Sequence, residues 1–138
     1  MYELSTQQRD QLLDLVKKLK AVESDMSNDR GEFEVFALDS IDVGENRWRL
    51  LASTKSADAI LSETAGTISS RLQPKLVAHE KVMLAEIIAL PSADPLVVDC
   101  RKKWGKNVPD RGMFVTDRSP DDGGIDHMMF LVRCQPMP

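Results

Sequence analysis

Lys75-Leu76-Val77-Ala78-His79-Glu80-Lys81-Val82-Met83-Leu84-Ala85-Glu86-Ile87-Ile88-Ala89-Leu90 is the stretch whose reading decides how many helices and strands this chain holds. As a helix, it gathers Leu76, Val77, Met83, Leu84, Ile87, Ile88 and Leu90 on one face. Ala78, Lys81, Ala85 and Ala89 fall opposite, and Pro74 stands where a first-turn proline is tolerated. That reading leaves Glu86 on the polar side but puts Glu80 on the apolar one. As a strand over Lys81 to Leu90, it places Glu86 among Val82, Leu84, Ile88 and Leu90. A carboxylate there needs a partner or a raised pKa. The β-branched pair Ile87-Ile88 before Pro91 fits a strand ending. Periodicity does not separate the two for a short apolar run, and the helix is the preferred reading.

On the N-terminal side the pattern is clearer. Ser5-Thr6-Gln7-Gln8 is a capping box, and Leu12, Leu15, Val16, Leu19 and Val22 recur at helical spacing after it. A helix over about residues 6–22 follows, with Lys17, Lys18 and Lys20 near the negative end of its dipole. Glu23 to Gly31 is polar and reads as a loop. Phe33, Val35 and Ala37 alternate with Glu32, Glu34 and Phe36, and Trp48, Leu50 and Ala52 alternate with Arg47, Arg49 and Leu51. Asp42-Val43-Gly44-Glu45-Asn46 has turn chemistry between them, so the two runs predict a β-hairpin. Leu61, Ala65, Ile68 and Leu72 predict a second helix within residues 57–72, weakened by Gly66.

On the C-terminal side, Asp94-Pro95 reads as an N-cap with a first-turn proline, and Gly105 as the C-terminal stop of a helix over residues 95–104. Gly112 to Thr116 and Ile125 to Cys134 read as two strands. The loop joining them contains Asp117, Asp121 and Asp122 and runs into Asp126-His127. The expected architecture is one α+β domain over residues 1–138: two layers, with three or four helices on an antiparallel sheet of four or five strands.

Composition narrows function by exclusion. With 42% hydrophobic and 29% charged residues, a packed core is expected. A net charge of −4 argues against general affinity for nucleic-acid phosphates or anionic membranes. No apolar run of about 18 residues exists to span a bilayer, and the first residues lack the regions of a signal peptide. Cys100 and Cys134 have no CxxC partner, so free thiols in a cytoplasmic protein are expected.

Few motifs carry chemistry. Counting from Asp117, an EF-hand fails at its sixth position, Asp122, and at its twelfth, Met128. His79-Glu80 begins an HExxH pattern, but Met83 stands where the second histidine belongs. No phosphate-binding glycine loop and no nucleophile elbow is present. Two candidate binding segments remain. Arg101-Lys102-Lys103-Trp104 is the basic cluster, able to meet an acidic partner with Trp104 as anchor; the plainer reading is a helix end offset by cations, with Trp104 packed inward. In the acidic loop, Asp117, Asp121, Asp122 and Asp126 offer oxygens to a divalent cation, and His127 with a loop aspartate could make an acid–base pair; the plainer reading is a solvated turn between two strands.

These features predict a protein-binding protein without catalysis, a homodimer or a subunit of a complex, requiring no cofactor or metal. The alternative is a small-molecule pocket between helices and sheet. Ile125, Met128, Met129, Phe130, Leu131 and Val132 form a nearly continuous apolar run that points to cover on both faces of that strand, from a helix, another subunit or a partner, so association is expected through the segment around Trp104 or Met128 to Leu131.

Overall fold

The computed structural model describes residues 4–30, 33–54, 61–118 and 126–137. Four helices and five strands follow in the order α1 (Thr6–Arg30), β1 (Phe33–Asp42), β2 (Arg47–Thr54), α2 (Leu61–Leu72), α3 (Ala78–Met83), β3 (Leu84–Ala89), α4 (Pro95–Trp104), β4 (Met113–Arg118) and β5 (Asp126–Cys134). The fold is α+β, as the patterning predicts. The sheet runs β3-β2-β1-β5-β4.

Helix α1 starts at the expected capping box. The Gln8 amide donates to Ser5 Oγ at 3.1 Å, and the Ser5 amide donates to Gln8 Oε1 at 3.0 Å. The helix does not stop at Val22 but runs 25 residues to Arg30. The apolar spacing continues to Met26, which is buried, and Glu23 is buried beside it with an ion pair to Arg133. A paired carboxylate on the core face lets the helix cross what reads as a polar loop.

The hairpin β1–β2 closes at Asn46, which takes a left-handed φ of 54°. Asparagine tolerates that region better than most residues. Its side chain also accepts from Trp48 Nε1 at 2.8 Å and donates to the Gln8 carbonyl at 3.2 Å, so one residue fixes the turn, the buried indole and α1.

The ambiguous segment is both helix and strand. Ala78–Met83 forms a short helix because Glu80 accepts from the amide of its cap residue, Val77, at 3.0 Å and closes its first turn. The chain then extends from Leu84. Glu80, awkward on an apolar face, is 1% exposed and ion-paired to Lys18 of α1. Glu86 is exposed, with Arg49 at 4.0 Å.

Because α2 returns the chain to the end of the sheet where β2 began, β3 lies parallel to β2. The sheet is therefore mixed, not wholly antiparallel as expected. Its other pairings, β1–β2, β1–β5 and β4–β5, are antiparallel.

Helices α1 and α2 cover one face over Phe36, Leu38, Leu50, Phe130 and Val132. The opposite face is not left bare. Helix α4 crosses from one sheet edge toward the other and packs Val97 and Cys100 on Val35, Ala37, Val115, Met129 and Leu131. It begins at the expected cap, where the Leu96 amide donates to Asp94 Oδ1 at 2.9 Å.

It ends at Gly105, for a reason other than the left-handed stop the sequence suggests. Gly105 has an ordinary φ of −56°. A β-carbon there would lie 2.6 Å from Pro136 Cα and 2.7 Å from the Gln135 carbonyl oxygen, so only glycine admits the C-terminal segment.

Candidate functional site

Among the described residues four carboxylates are buried: Glu23, Glu34, Asp39 and Glu80, none more than 6% exposed. Each meets a base on another element. Glu23 pairs with Arg133, Glu34 with Arg101, Asp39 with Arg49 and Glu80 with Lys18. A buried carboxylate without a cation would be costly, so these pairs hold α1 to β5, β1 to α4, β1 to β2, and α3 to α1.

The basic segment divides along its helix. Arg101 faces inward and is 9% exposed. Its guanidinium donates to Glu34 Oε2 at 2.7 Å, to the Gln135 carbonyl at 2.9 Å and to the Pro136 carbonyl at 2.7 Å. It is a clasp between α4, β1 and the C-terminal segment rather than a group turned toward a partner. Trp104 is half-buried against the α4-side core, and Lys102 is exposed. Lys103 reaches Asp99 at 3.0 Å and lies 5.7 Å from the Trp104 ring centre.

Asp126 and His127 occupy the first positions of β5, opposite Arg118 and Asp117 of β4. Their side chains, and Asp121 and Asp122 altogether, lie outside the described residues. Eight strand positions separate His127 from Gln135, about 25 Å at the usual rise. Asp126 and His127 therefore stand at the opposite end of β5 from the carbonyl of Gln135 that Arg101 holds.

The run Met128 to Val132 is covered from both sides, as its composition predicts, but by the chain's own helices. Phe130 and Val132 lie under α1, and Met129 and Leu131 under α4. With β5 inside the sheet between β1 and β4, this run is not available to a partner.

Two features were not visible in the sequence. The first is a thiol pair. Cys100 of α4 and Cys134 of β5 bring their sulfurs to 3.5 Å, both free and both buried. The hydrogen bond between them raises the Cys100 pKa far above the ordinary thiol range, with burial adding to it. The same bond, assisted by the charge of Arg101 and opposed by burial, lowers that of Cys134. Cys134 is thus the more acidic sulfur, and either sulfur can donate in the contact between them.

The second is the outer edge of β3, which has no strand beside it among the described residues. Comparison with protein-family models, with curated proteins and with solved structures finds no match.

Two surface clefts lined by described residues complete the candidates. One, of about 600 Å³, is lined by Lys17, Lys18, Lys75 and His79 together with Asp14 and Glu80. The other, of about 480 Å³, lies where the end of β5 meets the Val108–Asp110 turn. Among the described residues no group of three histidine, cysteine or acidic side chains could hold a metal ion. No helix among them is long and apolar enough to cross a membrane.

Proposed function

We propose that the chain is a non-catalytic interaction protein of the cytoplasm that associates with a second copy of itself through the outer edge of β3. One observation carries this reading. β3 closes the sheet with its outer backbone groups unpaired among the described residues, and Leu84–Ala89 contains one charged side chain and no lysine or proline.

A free strand edge is a template for another strand, and chains that remain apart guard it with charge, proline or bulges. The single charge, Glu86, is directed toward Arg49, and the irregular register at Ala85 guards only the start of the strand. β4, the other edge strand, ends in Thr116-Asp117-Arg118 and is more polar.

The backbone phase of β3 supports a symmetric pairing. The Leu90 amide donates inward to the Ala52 carbonyl at 2.8 Å, so alternation turns the N–H and C=O groups of Ile87 and Ala89 outward. Opposed residues of an antiparallel pair share a face. A twofold register centred on Ile87 or Ile88 therefore opposes Glu86 to Ile88 or Leu90, never to a second Glu86. It would also give cover to half-buried Ile87 and Ile88 and to Val82, which is 66% exposed.

The small-molecule reading draws less support. Leu12, Leu15, Leu19, Phe36 and Leu50 fill the space between α1 and the sheet, and the two clefts lie on the outside of that packing.

Sedimentation equilibrium tests the reading. The apparent mass is expected to rise from 15.4 kDa toward twice that value across micromolar concentrations. A mass of 15.4 kDa at every concentration would overturn it.

A further inference from the structure

We propose that Cys100 and Cys134 form a peroxide-driven dithiol–disulfide switch that bonds α4 to β5. The chain has two cysteines, 34 positions apart, and the fold brings both to one place with their sulfurs 3.5 Å apart. A disulfide needs about 2.05 Å, so the sulfurs must close by roughly 1.5 Å. Each side chain comes from a different element, and α4 is the helix that covers this face of the sheet.

The two sulfurs are chemically unequal. Cys134 holds the more acidic thiol and lies near the positive Arg101, while Cys100 keeps its proton. Cys134 is therefore the sulfur that meets the oxidant first, because the thiolate is the attacking form. The cleft of about 480 Å³, lined in part by Val108, Pro109 and Cys134, brings solvent beside an otherwise buried pair.

The oxidant is a small hydroperoxide, and hydrogen peroxide is the simplest. The Cys134 thiolate attacks one peroxide oxygen. The O–O bond breaks, and the leaving hydroxide takes a proton to become water. Cys134 is now a sulfenic acid. The Cys100 sulfur then attacks the Cys134 sulfur, the S–O bond breaks, and the Cys100 proton leaves with the hydroxide as a second water. Both thiols are oxidised by two electrons together, and one peroxide is reduced to two waters. The product ties α4 to the end of β5, beside the Arg101 clasp. A dithiol reductant reverses it by exchange.

The test uses the full chain, reduced and then treated with one equivalent of hydrogen peroxide. Intact mass is expected to fall by two hydrogen atoms. A non-reducing peptide map should join the Cys100 and Cys134 peptides, and Tm should rise on the order of 10 °C. In Cys100→Ser, Cys134 should stop at the sulfenic acid and be captured by dimedone. In Cys134→Ser, Cys100 should stay a thiol under the same treatment. No loss of hydrogen in the wild type, or a bond between two copies in place of the internal one, would overturn the proposal, and that measurement stands whether or not the variants fold. Equal dimedone capture at Cys100 in Cys134→Ser would overturn the assigned roles.

Discussion

Replacing Arg101 by alanine is expected to destabilise the fold by about 3–5 kcal/mol, a large fraction of the stability of a domain this size. The cost arises from what the substitution leaves behind. Glu34 is 6% exposed and would be left buried with its 2.7 Å partner removed. The carbonyls of Gln135 and Pro136 would also lose their donors, and the C-terminal segment would lose its attachment to α4. Urea unfolding followed by circular dichroism should show the midpoint fall steeply. The double variant Arg101→Met with Glu34→Leu should recover most of the loss, because apolar groups of similar size leave no buried charge. A loss below about 1 kcal/mol in Arg101→Ala would mean that the clasp is solvated and weak. Lys102→Ala on the next position is exposed and should change little.

Ala89→Pro is expected to weaken self-association on the order of 100-fold while leaving the monomer folded. The Ala89 amide points outward, so proline removes no hydrogen bond to β2 and is tolerated on an edge strand. In the symmetric pair the change acts twice, removing two donors and placing two rings in the seam. Two net hydrogen bonds at about 1 kcal/mol each, with added steric cost, amount to roughly two decades in Kd. Ala85→Lys, at an exposed position of the same strand, should act in the same direction through charge. Dissociation measured by fluorescence-detected sedimentation should show both effects. Wild-type affinity in Ala89→Pro would place any association elsewhere.

Much of the fold can be read from local chemistry in the sequence. The Ser5–Gln8 capping box, the Asp94-Pro95 start of α4 and the turn before Trp48 are each set by residues within a few positions of one another. What escapes is whatever depends on distant partners. Glu23 to Gly31 reads as a loop because the stretch is polar, and whether Glu23 is acceptable on a buried face depends on Arg133, 110 positions away. Residues 75–90 resist either single reading because Glu80 serves as a cap and as the partner of Lys18, 62 positions away.

Strand order is hidden for the same reason, and with it the identity of the edge. Local patterning gives the final strand's two apolar faces but not that α4 covers one of them. The candidate residues fare accordingly. Arg101 is basic in sequence but spent on Glu34 in space. Cys100 and Cys134 carry no spacing motif, and only the packing of α4 on β5 brings them together.

Amide hydrogen exchange along β3, followed as a function of protein concentration, tests the central claim most directly. Ile88 and Leu90 point toward β2 and should be protected at every concentration. Ile87 and Ala89 point outward and should exchange freely when dilute, then become protected in step with the rise in mass. Protection of Ile87 and Ala89 that does not change with concentration, or its absence where the mass shows a dimer, would contradict an interface built on this edge.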